Sequence, residues 1–285
     1  MSGHEPKIMC YWHSENPDPI YPQPLNNMPP WVDIVPVAFA QITETPPNNY
    51  SLNLSTFERY PNLKDWIQDV RKNGTKVILS IGSDLLGSMS QEGIPGFVDS
   101  VMQTVKDWQL DGLDLDYEPP EEAQSLVAVA TALRIALVAR DPNAILTAPI
   151  YNAWLNPPLV NQVLPALAPL LDHIMTMDYT SYPGLDTTMG YVTQYETAIG
   201  GIKEKIMIGV NCMDKVHSDF TPLDDVKTYA QNAVEGIGGV MLYTFNYDVP
   251  VRCVSINGGT PFDSGTGQPV NTWLTTIHEV YLNGS

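Results

Sequence analysis

Short apolar runs alternate with longer amphipathic stretches along almost the whole chain. The runs Lys7–His13, Val32–Ile42, Lys76–Gly82, Gly112–Glu118, Ala144–Ile150, His173–Tyr179, Lys205–Cys212 and Val240–Asn246 have the length and side chains of strands. Between them, apolar positions recur at helical spacing over Leu63–Asn73, Gly96–Trp108, Glu121–Arg140, Pro158–Leu170, Tyr191–Ile202, Leu223–Val234 and Thr272–Leu282. Local punctuation agrees with these spans. Asn73-Gly74 suits a left-handed helix end, and Asp141-Pro142 stops a helix because proline disfavours a helical predecessor. Thr221-Pro222 offers a capping hydroxyl followed by a first-turn proline. Only the Pro-rich gap between the first two strands shows no helix pattern.

Several strand runs are almost wholly apolar, as in Lys76–Ser80 and Ile206–Val210. Strands covered on both faces read this way, which points to a parallel sheet. Eight strand–helix units in 285 residues predict an α/β fold, a closed (β/α)8 TIM barrel forming one domain over residues 1–285. An open doubly wound sheet would need a Gly-rich turn after its first strand, and that position reads Ser14-Glu15-Asn16-Pro17-Asp18. In a barrel the loops after the strands build the active site. Three of them, Glu15–Pro30, Thr43–Phe57 and Val249–Val270, are long and are expected to wall a groove.

Composition narrows the partners. Hydrophobic residues make up 44% of the chain, enough for a large core, so a disordered chain is excluded. Fourteen Lys+Arg against 32 Asp+Glu give a net charge of −18. Such a surface repels phosphate backbones and anionic lipid, so neither nucleic acid nor membrane is expected as a partner. It suits a neutral or cationic ligand, or serves solubility alone. No run reaches the ~18 apolar residues of a membrane span. Residues Met1–Lys7 lack the basic-then-apolar pattern of a leader, which leaves the compartment open: cytoplasmic as read, secreted if a leader has been removed. Cys10, Cys212 and Cys253 are far apart and odd in number, and no two histidines stand at helical-neighbour spacing. Neither a disulfide scaffold nor a His-based metal site is expected, no cofactor is called for, and the chain is expected to be a monomer.

The most informative segment is Asp111-Gly112-Leu113-Asp114-Leu115-Asp116-Tyr117-Glu118. On a strand, Asp114, Asp116 and Glu118 share one face, while Leu113, Leu115 and Tyr117 share the other. On the fourth of eight strands this sets three acids in a row inside the barrel, ending at its C-terminal rim. Acids so close cannot all ionise. Either they form a hydrogen-bonded or hard-cation site, or they are a graded acid relay in which Glu118 is held protonated as a general acid. Asp111 lies off that face and reads as a structural hydrogen-bonder.

This segment resembles the DGxDxDxE signature of glycoside hydrolase family 18, the chitinases and endo-β-N-acetylglucosaminidases, which carry it on the fourth strand of a (β/α)8 barrel. Lys76–Ser83 resembles the family's third-strand SxGG pattern, with Ser83 in place of the second glycine. Met175-Thr176-Met177-Asp178-Tyr179 resembles the sixth-strand MxYD, with Met177 where the tyrosine belongs. Gly239–Tyr243 resembles the eighth strand, with Tyr243 where a tryptophan usually lies under the substrate.

The resemblance implies a retaining, substrate-assisted glycosidase, without cofactor or metal, acting on a polysaccharide or glycan that contains N-acetylglucosamine. Glu118 would protonate the glycosidic oxygen and later activate water, while the substrate's own N-acetyl oxygen attacks C1. Asp116 would accept the acetamido N–H, Asp114 would share a proton with Asp116, and Asp178 would contact the reacting sugar or water. The family's sixth-strand tyrosine binds the acetamido oxygen; with Met177 there, Tyr179 or Tyr151 is the candidate hydroxyl. Pyranose faces are apolar, so Tyr11, Trp12, Trp31, Phe39, Trp154 and Tyr243 are candidate platforms near strand ends, and Phe39 reads equally as core. Asn152 and Asn246 read as polar contacts or as loop structure. Trp66, Trp108 and Trp273, on or beside helices, are expected in the core. A chitinase is the first reading. An endo-β-N-acetylglucosaminidase cutting the chitobiose core of N-glycans is the second. The third is a non-catalytic chitin-binding lectin, whose family relatives typically lose the acid at the position of Glu118. Relatives with deep clefts insert a small α+β domain after the seventh strand. Only Asp214–Phe220 lies there, so no insertion, an open groove and endo attack with low processivity are expected.

Overall fold

The computed structural model describes residues 5–14, 23–45, 47–118, 123, 125–212, 220–249, 253–254, 262–263 and 269–284. Eight strands run parallel: β1 (Lys7–Cys10, resumed at Trp12–His13), β2 (Ile34–Thr45), β3 (Lys76–Gly82), β4 (Gly112–Asp116), β5 (Ile145–Ile150), β6 (His173–Thr176), β7 (Ile206–Asn211) and β8 (Gly239–Tyr243). Each pairs with the next, and β8 pairs with β1 from Lys7↔Gly239 to Cys10↔Leu242, so the sheet closes. Helices α1 (Leu63–Lys72), α2 (Ile94–Asp107), α3 (Leu126–Arg140), α4 (Leu164–Leu167, entered by a π-helical turn), α5 (Leu185–Ala198), α6 (Leu223–Val234) and α7 (Thr272–Gly284) fill the connections. This is the (β/α)8 barrel that the alternation predicts.

Strand parity divides the core in two. Outward residues such as Ile8, Cys10, Trp12, Val35, Val37, Leu113 and Leu115 pack with the helices in one large cluster. Inward residues Met9, Tyr11, Ile34, Ile78, Met175, Met207 and Met241 form a second cluster that fills the barrel. Four buried methionines in that floor supply flexible, polarisable packing where the strands converge. Two glycines let strands approach. A Cβ on Gly112 would collide with the Ile145 carbonyl oxygen, and one on Gly209 with that of Thr176.

Some connections differ from the sequence reading. The polar stretch after the second strand is a hairpin, not a loop: β2 runs on to Thr45 and pairs antiparallel with Asn49–Asn53. The turn is made by Asn48 at φ 57°, a conformation asparagine tolerates. Helix α5 covers Leu185–Ala198 rather than Tyr191–Ile202, because Gly200 and Gly201 both take positive φ and end it. The Thr221 hydroxyl does not cap α6; it accepts the Asn211 N–H at 3.1 Å, tying β7 to the helix entry. Residues 15–22 of Glu15–Pro30, most of Val249–Val270 and the segment Asp214–Asp219 lie outside the described residues. Among the described residues, no helix is long and apolar enough to cross a membrane.

Candidate active site

The inner face of β4 delivers Asp114, Asp116 and, two residues beyond the strand, Glu118 to one place. Their environments differ. Asp114 is fully buried and accepts three hydroxyls: Tyr11 at 2.8 Å, Ser80 at 2.7 Å and Thr147 at 2.6 Å. Burial pushes its pKa up, and the three hydroxyls pull against that. Asp116 is only 6% exposed, and its Oδ1 is buried without a hydrogen-bond partner among the described residues. Burial, then the charges of Asp114 and Glu118, push its pKa far above the carboxylate range. The hydroxyl-rich site favours the negative charge on Asp114, and the bare site favours the proton on Asp116. Tyr11, raised by burial and then by both aspartates, stays a neutral donor. Glu118 stands at the rim, where partial burial and then the charge of Asp84 raise its pKa. Its backbone carbonyl accepts the Tyr151 hydroxyl at 2.5 Å.

Two cavities meet at these acids. One, about 310 Å³, sits in the barrel mouth and is walled by Tyr11, Phe39, Tyr151, Tyr179 and Tyr243, with Met177, Met241, Pro149, Thr180 and Asn211. Tyr179 and Tyr243 stack at 6.2 Å and 15°, and Tyr11 leans on both Phe39 and Tyr243. The other, about 690 Å³ and more open, lies over the ends of β2 and β3 against Gln41, Gly82, Ser83, Asp84 and Leu85. Phe39, Asp116, Glu118 and Tyr151 line both. A carboxyl with a raised pKa thus stands at the junction of an aromatic pocket and an open polar lobe. The family model for glycosyl hydrolases family 18 matches residues 7–221. The chain belongs to glycosyl hydrolases family 18.

Solved family 18 structures share its fold over nearly the whole chain. The catalytic domain 2 of the Ostrinia furnacalis Group II chitinase is 15% identical, with a TM-score of 0.73, covering 98% of this chain and 97% of that one. A fungal endo-β-N-acetylglucosaminidase is 18% identical, with a TM-score of 0.70 and 97% of each chain covered. A chitinase-like agglutinin from Robinia pseudoacacia is 14% identical, with a TM-score of 0.69, covering 96% of this chain and 99% of that one. At these identities the likeness is one of fold. No curated protein matches the chain in sequence.

Not every residue expected at this family 18 site lines it. Trp12 alternates with Tyr11 and so faces outward, buried edge-on against Tyr60 and donating its N–H to the Gln23 carbonyl at 2.9 Å. Trp154 is buried edge-on against Tyr117, again in the outer layer. Trp31 stacks on His278 of α7. Asp178 follows Thr176 on the outward parity, and its carboxylate accepts the Tyr195 hydroxyl of α5 at 3.1 and 3.2 Å instead of reaching the groove. Burial raises its pKa to about 7, against the Tyr195 hydroxyl and the Asn152 N–H. Asn246 is buried and accepts the His13 N–H at 2.8 Å. Asp114 shows three hydroxyl partners, and its influence on Asp116 runs through charge.

Sequence reasoning passed over Asn211, Met241 and Pro149, although each has inward parity near the end of its strand. It also passed over Gln41, two residues beyond Phe39 on β2, and Asp84, which no strand pattern marks. Among the described residues, no three His, Cys, Asp or Glu side chains are grouped to hold a metal ion.

Proposed function

We propose that this protein hydrolyses β-1,4-linked N-acetylglucosamine polymers with retention, using the substrate's acetamide as nucleophile and Glu118 as acid and then base. The observation that carries this reading is that Glu118 and Asp116 line both cavities while Asp114 is buried behind them, each in a distinct environment. The reacting sugar sits in the aromatic pocket, its acetamido methyl beside Met177 and Met241. Asp116, which lines the pocket, accepts the acetamido N–H and so turns the amide oxygen toward C1. Glu118 gives its proton to the glycosidic oxygen; the C1–O bond breaks as the amide oxygen bonds to C1. Asp114, holding its charge on three hydroxyls, stabilises the positive oxazolinium. Glu118, now ionised, takes a proton from the water that opens the ring.

Retention of Glu118 favours an enzyme over a lectin. Chitohexaose and a high-mannose glycoprotein, offered separately with products identified by mass, divide the chitinase and N-glycan readings; cleavage of chitohexaose is expected. Glu118→Gln should lower kcat by about 10² to 10⁴ with little change in KM. Near-normal turnover in that variant would remove Glu118 from the acid's role.

A further inference from the structure

The open lobe beyond Glu118 carries a carboxylate with no structural task. Asp84 follows β3 and stands at the N-terminal edge of the short helix Leu85–Ser88, yet its side chain makes no capping hydrogen bond. It is exposed, and among the described residues its carboxylate shows no hydrogen-bond or ion-pair partner. The lobe it lines holds three acids, Asp84, Asp116 and Glu118, and among the described residues neither cavity has a Lys, Arg or His in its lining. Asp116 and Glu118 line both cavities, and Asp84 lines the open lobe alone. The two sides of the cleavage point therefore differ in chemistry: aromatic and sulfur-bearing on one, polar and anionic on the other.

We infer that Asp84 is a specificity-determining residue that selects a cationic leaving sugar, so that bonds from N-acetylglucosamine to a following glucosamine in partially deacetylated chitin are preferred. This rests on the proposed reading of the site, which requires the acetylated unit in the aromatic pocket. Nothing in that chemistry needs an acetyl group on the leaving unit. A glucosamine there presents an ammonium to the carboxylate of Asp84, an attraction that salt screens. The charge of Asp84 also raises the pKa of Glu118, so one carboxylate serves both the leaving sugar and the proton that releases it.

Partially acetylated chitosan tests the inference, because each cut creates two identifiable ends. New non-reducing ends should be enriched in glucosamine roughly two- to fivefold over the polymer's composition, the size of one solvent-screened ion pair. The enrichment should shrink in high salt, vanish in Asp84→Asn and persist in Asp84→Glu. Asp84→Asn should also move the alkaline limb of kcat/KM to lower pH. Non-reducing ends that follow the polymer's composition, or an enrichment unchanged in Asp84→Asn, would overturn the role of Asp84. New reducing ends report separately on the mechanism: they must be N-acetylglucosamine, and glucosamine there would sink the substrate-assisted reading itself. A protein that cleaves neither chitosan nor chitin refutes both.

Discussion

Tyr151 and Tyr179 both reach the pocket that lacks the sixth-strand tyrosine, and their surroundings assign them different work. The Tyr151 hydroxyl donates to the Glu118 carbonyl and so steadies the rim. Tyr179 lies beside Met177 on the pocket wall, stacked on Tyr243 and close enough to Tyr11 to raise its pKa. Tyr179→Phe keeps the stacked ring and removes the hydroxyl, so kcat on chitohexaose should fall about 10²-fold if that hydroxyl holds the acetamido oxygen. Tyr151→Phe should cost only about fivefold, one neutral hydrogen bond. The reverse order in steady-state kinetics would transfer the acetamido contact to Tyr151. Trp12 and Trp154 show where residue-level reading failed. Nearness to a strand end placed them at the groove, but a one-residue step along a strand changes the face, and Tyr11 rather than Trp12 has the inward parity.

At the scale of elements, β4 is held at both ends by different chemistry. Its rim end carries the acids. At its base Asp111 accepts Arg71 of α1 through both oxygens at 2.8 and 3.1 Å, Lys76 of β3 at 3.3 Å and the Val77 N–H at 3.0 Å. Burial pushes the Asp111 pKa up, but the Arg71 and Val77 hydrogen bonds and the two cationic charges outweigh it and hold it below its usual value. Asp111→Ala would leave a half-buried guanidinium and a backbone N–H unpaired, costing about 2 to 4 kcal/mol. Urea unfolding above pH 6 should show that loss. A lowered pKa stabilises above the ordinary carboxylate range and stops doing so as pH falls through it, so the variant's deficit should close in acid. An undiminished deficit at low pH would contradict the ion-pair account.

The strands themselves were legible in sequence, because burial on both faces writes continuous apolar runs; Lys76–Gly82 matches to the residue. The structural role of Asp111 and the inward march of the acids followed from parity alone. Three features were not legible. The hairpin after β2 lies outside the barrel and is polar. Helix α5 ends where two glycines outrank the apolar pattern. The open lobe takes Ser83, Asp84 and Leu85 from the stretch after β3, which has no period to read.

At the scale of the whole molecule, charge and proton uptake act in one direction. The net charge of −18 makes the folded chain repel itself increasingly as carboxylates ionise. Two further aspartates resist ionisation inside the fold. Asp178 is raised to about 7 by burial, and so is Asp248, which accepts the Leu274 N–H at 3.1 Å at the start of α7 and joins the exit of β8 to the last helix. Asp114 and Asp116 are raised as well. A folded pKa above the unfolded one means the native state binds the extra proton. The stability so gained is fully present below the ordinary carboxylate range and is lost as pH rises through about 7. Asp111 works in the opposite sense, but it is one group against five, Glu118 included. The thermal midpoint should therefore be higher near pH 5 than near pH 8. Added salt should narrow the gap by screening the surface charge, without closing it, since salt does not relieve the burial of these carboxyls. Asp178→Asn mimics the protonated carboxyl, keeps an oxygen for the Tyr195 hydroxyl, and should raise the midpoint near pH 8 while leaving it unchanged near pH 5. A midpoint flat across that range, or an Asp178→Asn protein destabilised equally at both ends, would show that these carboxyls do not carry the linkage. The same window suits the proposed chemistry, because the acid form of Glu118 and the ammonium of a leaving glucosamine are both lost as pH rises.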